Sequence, residues 1–188
     1  MFGIKIKGAN RVPNSGRILL APNHRSYLDP PLSGLGVPRE VFFLAKVELF
    51  KNRMAAAILR LLNAKPVRRS GVDTGAIRTI EDLLHRGEAV VIFPEGGRCL
   101  MGDFLPAQRG VALMALKTGT DIIPTYIQGS RPWWKALYRR GWMTVTYGPA
   151  IRFGDAQKHG DHREQMRWIL SEIEKSWREM AVKGLIKV

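Results

Sequence analysis

Residues 16–30, GRILLAPNHRSYLDP, open on a short apolar run from Ile18 to Ala21 and turn polar at Pro22, delivering Asn23, His24 and Asp29 in close succession. Four consecutive apolar residues between Arg17 and Pro22 read as a strand covered on both faces, because a half-exposed strand would alternate. The same grammar recurs along the chain. VFFLAK (Val41 to Lys46) is a second buried strand, and AVVIF (Ala89 to Phe93) a third, closed by Pro94. Asp121 to Ile127 and Trp142 to Tyr147 read as two more, FGIKIKG at the start alternates like a strand, and AKPVR (Ala64 to Arg68) is a short one.

Between these runs the period changes. Leu49, Phe50, Met54, Ala57, Ile58, Leu61 and Leu62 recur at three- and four-residue steps and predict a helix within 47–62. Asp73 is an N-cap for a helix over 74–86 that Gly87 ends, and residues 109–118 form another. A short helix follows Asp29-Pro30-Pro31, since proline is tolerated in a first turn. The C-terminal helix, about 161–182, aligns Met166, Ile169, Leu170, Ile173, Trp177 and Met180 on one face. Strands alternating with helices give an α/β fold: one domain over residues 1–188, a sandwich with a mixed, largely buried sheet flanked by helices. In such sheets ligands gather in the loops beyond strand ends.

The chain has 188 residues, 30 Lys+Arg against 16 Asp+Glu, and a formal charge of +14, which bears on partners rather than on fold. No apolar run reaches the ~18 to 20 residues of a bilayer-spanning helix. A single cysteine, Cys99, excludes an internal disulfide and a cysteine-based zinc cluster. The histidines at 24, 85, 159 and 162 form no ligand cluster, so no metal is expected. No nucleic-acid-binding module is recognisable, so nucleic acid is not an expected partner. The segment RPWWKALYRRGW (Arg131 to Trp142) interleaves Trp133, Trp134 and Tyr138 with Lys135, Arg139 and Arg140. That mixture suits an anionic membrane surface, or else a basic surface loop with tryptophans in the core. The absence of GxGxxG and GxxxxGK[ST] argues against dinucleotide and P-loop chemistry.

Two strand ends carry the chemistry. His24 and Asp29 form an H-x4-D pair where a buried strand meets a turn, so an aspartate there can hold one imidazole nitrogen and leave the other as a base. FPEGGR places Glu95, Gly96, Gly97 and Arg98 beyond the other strand. Glycines there expose backbone N–H groups, and arginine offers a fork matched to phosphate. In order along residues 3–150, NHRSYLDP, FFLAKVELFKN, AKPVRRSG, FPEGGR and IIPTYI resemble the PlsC-like glycerolipid acyltransferases, the 1-acylglycerol-3-phosphate acyltransferases and their relatives.

The resemblance implies transfer of a fatty acyl group from acyl-CoA or acyl-carrier protein to the free hydroxyl of a lysophospholipid such as 1-acyl-sn-glycerol-3-phosphate. No cofactor is involved. His24 is then the general base and Asp29 its orienting partner, with Asn23 supporting the turn. Lys46 or a backbone N–H stabilises the oxyanion. Arg68, Glu95, Gly96 and Arg98 form the acceptor-phosphate site, with Gly97 and Pro124 in support. Gly97 stands where the family commonly has Thr or Ser, Cys99 where Ser is common, and Gln108 where Lys is frequent. The expected setting is the cytoplasm, peripherally at the inner face of the membrane. Two readings compete with this one: a related acyltransferase on another lipid acceptor, and a non-catalytic basic membrane-binding module. The module would have no need of a base at position 24.

Overall fold

The computed structural model describes residues 3–67, 74–102, 104–132 and 142–185. In chain order its strands are β1 (Ile4–Lys7), β2 (Ile18–Pro22), β3 (Val41–Lys46), β4 (Ala64–Val67), β5 (Ala89–Val91), β6 (Ile122–Gln128) and β7 (Met143–Tyr147). Its helices are α1 (Asp29–Leu32), α2 (Arg53–Leu61), α3 (Thr74–His85), α4 (Arg109–Thr118), α5 (Phe153–Ala156) and α6 (His162–Leu185). The strands form one sheet in the order β1-β7-β6-β2-β5-β3-β4. The run from β6 to β4 is parallel throughout, while β7 lies antiparallel to β6 and parallel to β1, so the sheet is mixed as expected.

Period two sorts the core into two layers. Leu19, Ala21, Phe42, Val90, Ile122 and Tyr126 face α3, α4 and α6, whereas Ile18, Leu20, Phe43, Ala45, Val91 and Ile123 face the α1 side. Both faces are covered, which is why the central strands are apolar at every position. Each fully buried aliphatic side chain contributes about 1.5–3 kcal/mol relative to exposure. Trp177 of α6 is fully buried, and its indole N–H donates to the Ala21 carbonyl at 3.0 Å, fixing α6 to the central strand. The face expected on the C-terminal helix is the one it buries: Ile169, Ile173 and Trp177 lie in the core, with Met166, Leu170 and Met180 packed against it.

Topology places the crevice. After β2 the chain crosses β5 to reach β3; after β5 it crosses β2 to reach β6. Neighbouring strands therefore send their connections in opposite directions, the switch point at which open α/β sheets bind ligands.

Local details refine the expectations. The helix expected within 47–62 is α2, which covers only Arg53–Leu61 of that stretch. A 3-10 turn over Val47–Phe50 precedes α2, because the Asn52 side chain accepts the N–H groups of Met54 and Ala55, both at 3.0 Å, and starts a new helix. The strand expected over Ala89 to Phe93, β5, stops at Val91. Ile92 N–H still donates to Leu20 O, but the Phe93 carbonyl accepts from Gly96 N–H in a turn that folds Glu95 back over β2. Pro124, expected in support of the acceptor site, is buried inside β6, in register with Ala21. Its carbonyl accepts from Gly148 N–H, so its missing N–H falls on the β7 side, where the ladder ends at Tyr147. Asp73, Arg68 and the tryptophan segment 133–141 lie outside the described residues.

Candidate active site

The loop after β2 and the loop after β5 are adjacent at the carboxyl edge of the sheet, and they grip one residue. The His24 N–H donates to Glu95 Oε1 at 2.5 Å, and the His24 carbonyl accepts from Cys99 N–H at 2.7 Å. The imidazole stacks on the Phe93 ring at a centroid distance of 4.1 Å and 30°. Both main-chain groups and one ring face of His24 are thus held by residues 93–99. The preceding Asn23 is fully buried. Its side chain donates to the Ile127 carbonyl at 3.2 Å and accepts the Ile127 N–H at 2.7 Å, so it continues the β2–β6 ladder past Pro22.

Asp29 opens α1 and folds its carboxylate back under the turn. Oδ2 accepts the N–H groups of Arg25 and Ser26, each at 2.6 Å, and lies 3.0 Å from His24 Nδ1. An oxygen that already receives two N–H donors acts as acceptor toward a third, which assigns the proton to Nδ1 and leaves the Nε2 lone pair free. The carboxylate is 1% exposed and the imidazole 15%, so the pair is shielded while the ring still reaches the site. A strut stiffens α1 from behind: the buried Tyr147 hydroxyl meets the carbonyls of Ser33 at 3.1 Å and Leu35 at 2.9 Å, and burial drives its pKa upward.

Glu95 differs from its expected place in a phosphate site. It is 1% exposed, and its oxygens receive the N–H groups of His24 and of Leu105, the latter at 2.6 Å. Burial raises its pKa above the ordinary carboxylate value, and the two backbone donors oppose the rise. A buried carboxylate with both oxygens engaged joins loops and does not receive an anion. Gly96 has φ +67°, and a Cβ there would come within 2.9 Å of the Gln108 amide, whose Nε2 donates to the Glu95 carbonyl at 3.1 Å. The positive φ favours glycine, and a side chain would also have to displace the Gln108 amide from its bond. Gly97 has open space around it, so a Cβ there would meet no obstacle.

Arg98 is exposed at the mouth. Its guanidinium lies 3.8 Å above the Tyr27 ring and donates to the Tyr27 hydroxyl at 3.0 Å, leaving further N–H groups for an anion. Lys46 ends β3, two strands from β2 and so roughly 10 Å across the sheet. Its exposed ammonium group makes no hydrogen bond or ion pair among the described residues. The structure therefore brings together Asn23, His24, Asp29, Glu95 and Gly96, puts Arg98 at their rim, and sets Lys46 along the same edge. Sequence reasoning missed Phe93, Cys99 and Tyr147 as positioning residues. Cys99 itself is buried, its thiol donating to the Met101 carbonyl at 2.7 Å. The sequence signal for Phe93 was its place at the head of FPEGGR and that for Cys99 its place just after it; Tyr147 had none.

The Acyltransferase family model matches residues 3–128. The 1-acyl-sn-glycerol-3-phosphate acyltransferase of Bacillus subtilis (strain 168) is 29% identical over 154 residues, covering 81% of this chain and 76% of that protein. That of Streptococcus pneumoniae is 29% identical over 156 residues, 81% of this chain but 57% of its own length. Among solved structures, the acyltransferase PlsC from Thermotoga maritima superposes with a TM-score of 0.70 at 22% identity, over 95% of this chain and 72% of that one, a likeness of fold.

Proposed function

The chain belongs to the acyltransferase family, and we propose that it transfers a fatty acyl group from a thioester to the free hydroxyl of 1-acyl-sn-glycerol-3-phosphate. The observation that carries the mechanism is the 3.0 Å contact from His24 Nδ1 to an Asp29 oxygen already holding two backbone N–H groups. With Nδ1 protonated, Nε2 accepts the hydroxyl proton as the acceptor oxygen attacks the thioester carbonyl. Asp29 stabilises the imidazolium that forms. The tetrahedral intermediate collapses, the C–S bond breaks, and the imidazolium returns its proton to the departing thiolate. No acyl-enzyme is needed, which agrees with a Cys99 thiol that is buried and hydrogen-bonded. A well-placed base contributes about 10²- to 10⁴-fold.

The oxyanion is assigned to Lys46 or to a backbone N–H of Gly97 or Arg98, neither of which is hydrogen-bonded among the described residues. Arg98, with the glycine N–H groups beside it, receives the acceptor phosphate; Arg68 is retained in that role from the sequence. The donor is acyl-CoA or acyl-carrier protein. The reaction is placed at a membrane surface. No helix among the described residues is long and apolar enough to cross a membrane. Yet Tyr27, Leu100 and Met101 stand 73%, 56% and 89% exposed on the two loops that hold His24. Thiol release from palmitoyl-CoA with lysophosphatidic acid in anionic vesicles tests the reading. It should require acceptor and vanish in His24→Ala, while vesicle binding persists. Undiminished turnover in that variant would remove His24 as the base.

A further inference from the structure

A second basic site lies away from the His24 crevice. Arg109 at the start of α4 and Arg163 and Arg167 in the first turns of α6 line one cleft of about 400 Å³, with Met166 and Leu170 as its apolar part. None of the three guanidinium groups has a carboxylate partner or any other hydrogen-bond acceptor among the described residues. Elsewhere on α6, Arg178 and Lys175 do pair, with Glu174 and Glu172. Three unpaired cations facing one hollow repel one another, and a multivalent anion converts that repulsion into attraction.

We propose that this cleft binds the phosphate-bearing nucleotide end of a coenzyme A thioester, an inference that rests on the acyl-transfer function proposed for the chain. The chemistry matches in two ways. Guanidinium forks take phosphate oxygens in pairs and stack on planar rings, and the Met166–Leu170 surface supplies an apolar bed for a purine. A flat bilayer would meet the arginines but has nothing planar to place in a hollow. The position also matches. Arg109 follows Gln108, which bonds to the Glu95 carbonyl, and Glu95 in turn holds His24. Glu174 of α6 accepts the Ala107 N–H at 3.0 Å, so the two helices meet at the site end of the cleft. Arg167 and Arg163 lie seven and eleven residues before Glu174, roughly 10 and 16 Å along the helix. An extended thioester would thus run from the crevice over the start of α4, with its charged end between α4 and α6.

The test is calorimetric titration of the whole chain with adenosine 3′,5′-bisphosphate, beside the double variant Arg163→Gln/Arg167→Gln. Both residues are exposed on a helix, and circular dichroism checks that the helix persists. Losing two charge-assisted contacts should weaken the bisphosphate about ten- to hundredfold, and raise KM for palmitoyl-CoA with kcat nearly unchanged. Unaltered bisphosphate affinity overturns the proposal. So does competition by inorganic phosphate at equal concentration, which marks a generic anion site. Selective loss of binding to phosphatidylglycerol vesicles, with bisphosphate binding intact, overturns it in favour of lipid. Because the titration needs no turnover, it distinguishes an empty cleft from a chain that fails to transfer acyl groups.

Discussion

Replacing Asp29 by asparagine separates its charge from its geometry. The side-chain oxygen of the Asp29→Asn variant can still accept from Arg25, Ser26 and His24 Nδ1, because one oxygen, Oδ2, takes all three bonds. The other oxygen, Oδ1, is buried without a partner, so the amide nitrogen placed there meets no donor to repel it. The tautomer and the turn therefore survive, while the imidazolium formed during proton transfer loses its counterion. With the pair 1% and 15% exposed, an effective dielectric constant near 20 is appropriate. Two unit charges about 4 Å apart then attract by about 4 kcal/mol. Turnover, kcat, should fall by about 10³-fold with KM for the acceptor nearly constant. Folding stability should fall modestly: three bonds weaken from charge-assisted to neutral and the amide N–H groups find no acceptor at the Oδ1 position, but a carboxylate no longer has to be buried. Asp29→Ala removes the acceptor of all three, leaving two part-buried backbone N–H groups and the His24 Nδ1–H unsatisfied, and should destabilise by about 2–6 kcal/mol. Thiol-release kinetics and urea unfolding measure both variants. An Asp29→Asn enzyme within threefold of wild type would refute a counterion role, and one that lost stability as severely as the alanine variant would refute the hydrogen-bond assignment.

Two further outcomes follow from other parts of the structure. Burial raises the Glu95 pKa above its ordinary 4.5, so between those two values the folded chain holds a proton that the unfolded chain has released. Its stabilising contribution is therefore fullest below 4.5 and declines as pH rises through the shifted value. The Glu95→Gln variant should lack that slope in unfolding measurements from pH 4 to 8, and an identical pH dependence would count against a raised value. On α2, Met54, Ile58 and Leu61 recur on one side and stand 74%, 55% and 84% exposed, beside Lys51, Arg53 and Arg60. Met54→Ser/Leu61→Ser should leave unfolding within about 0.5 kcal/mol of wild type yet weaken partition into anionic vesicles at least tenfold. Unchanged partition would place the membrane contact elsewhere.

How much of this is legible in the sequence depends on the range of each interaction. Buried strands announce themselves locally, because four or five apolar residues between breakers have few other homes; Val41–Lys46 and the helix over 109–118 fall where the pattern puts them. His24 and Asp29 are legible for the same reason, since five residues of chain suffice to fold a carboxylate back onto a ring. Glu95 is not. Its role depends on two donors, His24 and Leu105, brought to it from 71 and 10 positions away by the pairing of β2 with β5. A sequence motif shows that a glutamate belongs beside two glycines, but it cannot show whether the carboxylate faces a ligand or a backbone. The same holds for α2, whose apolar period is legible while its exposure is not. A helix with an apolar stripe buries it only if a partner element is present, and among the described residues none covers Met54 or Leu61. The three arginines of the α4–α6 cleft extend the argument: positions 109, 163 and 167 have no shared pattern, and only the packing of the two helices makes them one site. Function in this chain is thus local where a proton moves and tertiary where charge is recognised. That division says which substitutions should act alone and which should act in pairs. Changes at His24 and Asp29 should be non-additive, because each disables the same base, whereas losses at Arg98 and at Arg163/Arg167 should add, because no residue is shared between the two clusters.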